Sequence, residues 1–127
     1  ETEVVIPRLK SDLLDLFEGV VTNTLSERDI QFDERSVATV MMVSGGYPEE
    51  YEKGKQIFGL NSITNSIVFH AGTTSDGPAV MSAGGRVLAV TSYGKNLDNA
   101  LEKSYASIEN IEFEKAYYRK DIGFDVV

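Results

Sequence analysis

Residues 67–90 read IVFHAGTTSDGPAVMSAGGRVLAV and alternate apolar runs with glycine-bearing breaks, the rhythm of short strands joined by tight connections. Ile67-Val68-Phe69 is an apolar run of high β-propensity. His70-Ala71-Gly72-Thr73-Thr74 follows as a small-residue loop that can approach a ligand or another backbone closely. Asp76-Gly77 signals a type I′ hairpin turn, with Ala79–Ser82 as the return strand. Gly84-Gly85 breaks the pattern again, and Arg86 opens the run Val87-Leu88-Ala89-Val90, too apolar for a surface loop. Two glycines on one side of Arg86 and a buried strand on the other hold this cation in one direction.

Upstream, Val37–Val43 is a continuous β-branched and Met-rich run, the pattern of a strand buried on both faces. It stops at Ser44-Gly45-Gly46-Tyr47-Pro48. The two glycines either make a simple turn or let successive N–H groups converge on one point as an anion nest. Glu49–Lys55 is charged, and Gln56–Leu60 reads as a short strand. Downstream, Tyr93-Gly94 ends the last strand and Asn96 is a good helix N-cap. Leu97, Ala100, Leu101, Ser104, Tyr105, Ile108 and Ile111 recur at helical spacing, which places a helix over Leu97–Ile111.

At the other end, Pro7 suits a helix start, and Leu9, Leu13, Leu16, Phe17, Val20 and Val21 share one face. Asp12 and Asp15 near its beginning favour the dipole, so a helix is expected over Arg8–Thr24. Ser26–Arg35 is a polar linker with a short strand around Ile30-Gln31-Phe32, and Phe113–Val127 is a tail of aromatics and charges. Strands outnumber helices without βαβ alternation. The expected fold is α+β: a mostly antiparallel sheet with two main helices.

The 127 residues fit one compact domain. A net charge of -8 argues against nucleic acid and against anionic membranes as partners. An anionic small ligand would have to be met by local cations, of which Arg8, Lys10, Arg86, Arg119 and Lys120 stand in suggestive contexts. There is no cysteine, no membrane-length apolar run and no signal-peptide pattern. A reducing compartment is compatible with this, and the cytoplasm is the expected location. Glu1 opens in mid-pattern without an initiator Met, so the chain is expected to be a piece of a longer protein.

Catalytic motifs are sparse. The single histidine, His70, is either a hydrogen-bonding group at a strand end or part of a site. No G-x-S-x-G elbow, H-E-x-x-H pair or G-x-x-x-x-G-K-[ST] loop occurs, and Gly84-Gly85 lacks the spacing of a dinucleotide fingerprint.

Five segments in order, PRLKSDL (7–13), SGGYP (44–48), VFHAGT (68–73), SAGGRVLAVT (82–91) and YYRKDIG (117–123), resemble the C-terminal part of the phosphoribosylamine–glycine ligase family, also called glycinamide ribonucleotide synthetases. The resemblance implies an ATP-grasp ligase of purine synthesis. It would join glycine to phosphoribosylamine through a glycyl phosphate, using ATP and magnesium or manganese. In that family the metal-binding glutamate and asparagine lie in a segment ending Gly-Asp-Pro-Glu-Thr, and Glu1-Thr2 looks like its last two residues. Residues 1–33 would then be the end of the ATP-grasp domain with its helix at about 8–24, and residues 34–127 the C-terminal domain. No catalytic or metal-binding residue is carried onto this chain by the resemblance, no cofactor is expected bound to it alone, and alone it is expected to be inactive.

The resemblance further implies that Arg86 meets the substrate phosphate, a role suited to a planar, permanently charged fork. An ion pair with one of the many carboxylates is the competing role. Gly85 beside it, the His70-Ala71-Gly72-Thr73 loop with its N–H groups, and Ser44-Gly45-Gly46 complete the expected substrate-binding set. Arg8 and Lys10 are either near the catalytic segment or on a solvated helix end. The first helix, without its natural cover, is expected to expose its apolar face or to pair with another copy. The alternative of a non-catalytic structural or carrier module stays open, although a carrier needs a lysine at the hairpin tip and Asp76-Gly77 offers none.

Overall fold

The computed structural model describes residues 1–126. These form an α+β fold in which every strand pairing is antiparallel, with two three-stranded sheets. The centre is strand β6, Arg86–Gly94. Its run Val87–Ser92 is buried throughout, because it has a strand on each side and packed elements on both faces. On one side it pairs with β1, Ser36–Val43, and on the other with β3, Ile67–His70.

The expectation that β1 is buried on both faces needs correction. Ala38, Val40 and Met42 are buried, whereas Val37, Thr39, Met41 and Val43 are only half-buried. Period-two alternation puts the first set on one face. That face carries helix α3, Leu97–Ile108, whose Ala100, Leu101 and Ile108 join Val40, Met42, Leu88 and Val90 in the core. β1 is also the edge strand of its sheet, so its other face is less completely covered.

Helix α3 begins as expected, with the Asn96 side chain accepting from the Asn99 N–H at 3.0 Å. It ends three residues short of Ile111, whose N–H turns back to the Ile108 carbonyl at 2.9 Å while its side chain stays in the core. Between α3 and β6 lies a hydroxyl cluster. Ser66 Oγ is 2.7 Å from Ser92 Oγ and 2.6 Å from Ser107 Oγ, and Ser104 Oγ donates to Ser92 Oγ at 2.9 Å. Small side chains allow helix and sheet to approach closely, and the hydroxyls satisfy one another. Among the described residues no buried side-chain nitrogen or oxygen lacks a partner.

The second sheet orders β2 (Gln56–Ile57), β5 (Ala79–Ser82) and β4 (Thr73–Asp76). The return strand is where it was expected, but the turn sits one residue later. Asp76 pairs with Ala79, and the two loop residues are Gly77, at φ 57°, and Pro78. A positive φ at the first loop residue alone is the II′ sense, because proline cannot take the second positive φ of a I′ turn. β4 also starts at Thr73, which reduces the expected five-residue loop after β3 to Ala71-Gly72.

The expected single helix over Arg8–Thr24 is two helices. α1 spans Thr2–Arg8 and contains Pro7 in its last turn rather than its first. α2 spans Leu13–Val21, with the Asp12 carboxylate accepting from the N–H groups of Leu14 and Asp15. Between them Leu9 bridges Phe32 and the Lys10 N–H donates to the Gln31 carbonyl at 2.8 Å. The Asp12 cap and this bridge together explain the break. The strand expected at residues 30–32 amounts to that bridge. On α2, Leu16 and Gly19 are buried, whereas Leu14, Phe17, Val20 and Val21 are exposed. α1 packs on β1 and β6, where the Tyr93 hydroxyl donates to the Pro7 carbonyl.

Candidate functional site

The ends of β1 and β3 and the start of β6 lie at the same end of the first sheet. Three loops expected to bind substrate therefore meet: Ser44-Gly45-Gly46, His70–Thr73 and Gly84-Gly85-Arg86. Ser44 donates from its N–H to the Gly85 carbonyl at 2.8 Å and from its hydroxyl to the Gly84 carbonyl at 2.9 Å. The Ala71 and Gly72 N–H groups donate to the Val87 and Arg86 carbonyls at 3.0 and 2.8 Å, and the Ala83 N–H donates to the Gly72 carbonyl at 2.7 Å.

These bonds change the expected chemistry of the loops. The Ala71 and Gly72 N–H groups hold the loop to β6 instead of facing a ligand. The glycines serve close packing: a Cβ on Gly72 would lie 2.6 Å from the Arg86 carbonyl oxygen and 2.7 Å from Gly84 Cα. One on Gly85 would lie 2.1 Å from Tyr47 Cδ2, so the Tyr47 ring covers that glycine. At residues 44–48 the geometry is that of a turn, with the Tyr47 N–H on the Ser44 carbonyl at 3.1 Å and the Glu49 N–H on the Gly46 carbonyl at 2.9 Å. Gly45 abuts the Lys115 backbone and Gly46 has φ 98°. His70 is exposed at the end of β3, with Nδ1 3.0 Å from the Thr73 hydroxyl.

The cations differ in what they touch. Arg8 donates to the Asp33 carbonyl at 2.9 and 3.0 Å. Asp33 is itself chelated by Arg35, whose guanidinium holds its carboxyl well below the usual carboxylate range. Arg119 binds Asp121 through two bonds of 2.9 and 3.0 Å. Arg86 is exposed and has no carboxylate within 4.0 Å among the described residues. The register of β1 and β6 slips immediately beside it: Met42 pairs with Leu88 and Val43 with Arg86, leaving Val87 as the extra residue of a bulge. A bulge bends a strand and re-aims the neighbouring side chain.

Arg86 borders a cavity of about 300 Å³, lined also by Tyr47, by Met41 and Val43 of β1, and by Tyr117, Tyr118 and Arg119 of the tail. The tail reaches it because Tyr117 exchanges both backbone bonds with Val43, at 2.8 and 3.0 Å. Sequence reasoning singled out Arg119 as a cation and YYRKDIG as a motif without joining either to the Arg86 site. The aromatic pair Tyr117-Tyr118 was the available signal that this segment packs and does not trail in solvent. Beside the site, the 47–55 loop is tied down by Glu52, which binds Lys55 at 2.7 Å and Lys115 at 3.0 Å. The two ammonium groups, Lys55 first, lower the Glu52 carboxyl to about 2. Among the described residues no group of three or more His, Cys, Asp or Glu could hold a metal.

A sequence profile described as "Phosphoribosylglycinamide synthetase, C domain" matches residues 37–125. The phosphoribosylamine–glycine ligase of Chlorobaculum tepidum is 46% identical over 126 residues, a match covering 97% of this chain and 30% of that protein. The bifunctional purine biosynthetic protein of Dictyostelium discoideum is 42% identical over 127 residues, covering 97% of this chain and 16% of that protein. The crystal structure of phosphoribosylamine–glycine ligase from Thermotoga maritima superposes with a TM-score of 0.73 at 26% identity, covering 94% of this chain and 29% of that one. The chain thus spans about a third or less of the length of these relatives.

Proposed function

The chain belongs to the phosphoribosylglycinamide synthetase C-domain family, and from that premise we propose that it is the C-terminal part of an ATP-dependent ligase joining glycine to 5-phosphoribosylamine. In that reaction glycine is activated as an acyl phosphate and the amine displaces the phosphate, giving glycinamide ribonucleotide. ATP and magnesium or manganese would belong to the part of the enzyme that this chain does not span. Residues 1–33 are read as the end of the ATP-grasp domain and residues 34–127 as the C-terminal domain. Alone the chain is expected to release no phosphate from ATP. The partners are small molecules and the expected location is the cytoplasm; no described helix is long and apolar enough to cross a membrane.

This part of the enzyme would hold the amine substrate by its phosphate. The observation that carries the reading is Arg86. In a chain of net charge -8, its guanidinium has no carboxylate within 4.0 Å among the described residues, only the longer-range pull of Glu3, and it borders the cavity. An arginine left unpaired in so acidic a setting is poised for an anion. Ser44 is bonded to the Gly84 and Gly85 carbonyls beside Arg86, Gly45 and Gly46 follow in the adjoining turn, and the His70–Thr73 loop, with Ala71 and Gly72, is strapped to the same strand end.

The test uses the full-length ligase containing this segment, assayed for ADP formation dependent on glycine and phosphoribosylamine. Arg86→Ala is expected to raise the KM for phosphoribosylamine about tenfold to a hundredfold, the usual worth of a charge-assisted bond, and to leave the KM for ATP unchanged. Arg86→Lys recovers part of the loss, since the charge survives and the fork does not. An unchanged KM for phosphoribosylamine with a lowered melting temperature would make Arg86 structural.

A further inference from the structure

We propose that Arg119, held in place by Asp121, is a second cation for the phosphate monoester of the sugar-phosphate substrate, acting across the cavity it shares with Arg86. This rests on the reading above that the Arg86 site takes that phosphate. The shared lining is the first ground: Arg86 and Arg119 are the two cationic side chains on one cavity of about 300 Å³. They arrive there from distant parts of the chain, because Tyr117 pairs with the last residue of β1.

The second ground is how Arg119 is held. Its Nε–H and one Nη2–H go to the two oxygens of Asp121, at 2.9 and 3.0 Å. A guanidinium carries five N–H donors, so three remain, including those on its outer Nη1–Nη2 edge, which suits a second bidentate acceptor. The carboxylate fixes the plane of the fork without occupying that edge. Asp121 is therefore a positioning residue, and Arg119 the group that would touch substrate.

The backbone beneath it is fixed as well. The Tyr105 hydroxyl donates to the Arg119 carbonyl at 3.0 Å and accepts from the Ile122 N–H at 3.2 Å. Tyr118 and Ile122 on either side pack against the core. An exposed arginine pair on a free tail would lose much side-chain and backbone entropy on binding; this one is already ordered. The other cavity walls are aromatic and aliphatic, which strengthens a charge-assisted bond by displacing water.

Two measurements on the full-length protein test the proposal. In steady-state kinetics, Arg119→Ala is expected to raise the KM for phosphoribosylamine about tenfold to a hundredfold, with the KM for ATP unchanged. Arg119→Lys should recover part of this, and Asp121→Asn should raise the same KM more modestly, because it loosens the fork without removing it. In calorimetric titrations with ribose 5-phosphate, Arg119→Ala should weaken binding by a similar factor while inorganic phosphate binds poorly to both proteins. An unchanged KM for phosphoribosylamine in an active enzyme overturns the proposal. So does a rise in the KM for ATP in its place, which would assign Arg119 to nucleotide phosphates. A wild-type protein without phosphoribosylamine-dependent turnover overturns the proposed function instead. In that event weaker ribose 5-phosphate binding by Arg119→Ala still supports the second cation, and unchanged binding refutes it.

Discussion

Gly72→Ala should separate the two loops that meet beside Arg86. Its Cβ would lie 2.6 Å from the Arg86 carbonyl oxygen, 2.7 Å from Gly84 Cα and 2.9 Å from Gly84 N. All three are backbone atoms, so no side chain can rotate away. Gly72 does not have a positive φ, and alanine can adopt its backbone conformation; the cost is therefore steric. To relieve it the Ala71-Gly72 turn must lift from β6, stretching the Gly72 N–H bond to the Arg86 carbonyl and the Ala83 N–H bond to the Gly72 carbonyl. Overpacking costs about 1–3 kcal/mol and weakening the two backbone hydrogen bonds, without losing either, about 1 kcal/mol in all, which together give roughly 2–4 kcal/mol. At this chain length that is a fall of roughly 6–20 °C in melting temperature. The assay is thermal unfolding followed by circular dichroism. A Gly72→Ala protein melting within about 2 °C of the parent would refute the packing argument.

Two further outcomes follow from other contacts. Glu52 should titrate at about 2, and Lys115→Ala should raise that midpoint; a carboxyl carbon titration by NMR reads both, and a midpoint at the ordinary glutamate value would refute the tie. Because its folded-state pKa is depressed, whatever stability the pair contributes is present above the unfolded glutamate value and is lost as pH falls through about 2. Leu14, Phe17 and Val21 are 72%, 57% and 83% exposed on α2, so the 127-residue chain should self-associate with concentration and Phe17→Glu should reduce this. Light scattering that finds the parent monomeric at all concentrations would sink that expectation.

Local patterns carried most of the fold. The Asn96 cap and the apolar spacing of α3, the unbroken run of β6 and the Ala79–Ser82 return strand were legible because each depends on neighbours in sequence. The N-terminal helix was misread because Leu9, Leu13, Leu16 and Val20 keep helical spacing across a break, while the Asp12 cap that makes the break looks the same in a single longer helix. In the site, the convergence of the glycine loops was foreseeable, but their role was not. Composition cannot distinguish a glycine that needs positive φ from one that lacks room for a Cβ, and Gly72 and Gly85 are of the second kind. The share of the cavity lined by Tyr117, Tyr118 and Arg119 depends on a single bridge to Val43. Long-range pairing of that sort leaves no periodic trace.

The hydroxyl cluster beneath α3 has a consequence for how such a chain can diverge. Ser66, Ser92, Ser104 and Ser107 each serve as partner to another. Ser104 also donates to the Ala38 carbonyl at 3.3 Å and Ser92 has two hydroxyl partners, but the Ser107 hydroxyl has Ser66 alone among the described residues. Changing Ser66 to alanine therefore strands the Ser107 hydroxyl, at about 1–3 kcal/mol, whereas changing both is close to neutral. Against a total stability of about 5–15 kcal/mol, the single step is the unfavourable one. Relatives that abandon serine at 66 should therefore abandon it at 107 as well, although the two lie in separate segments. The effect of replacing Ser66 will depend on its genetic background, and substitution at this pair should proceed by a linked jump, while Ser92 and Ser104 can change singly.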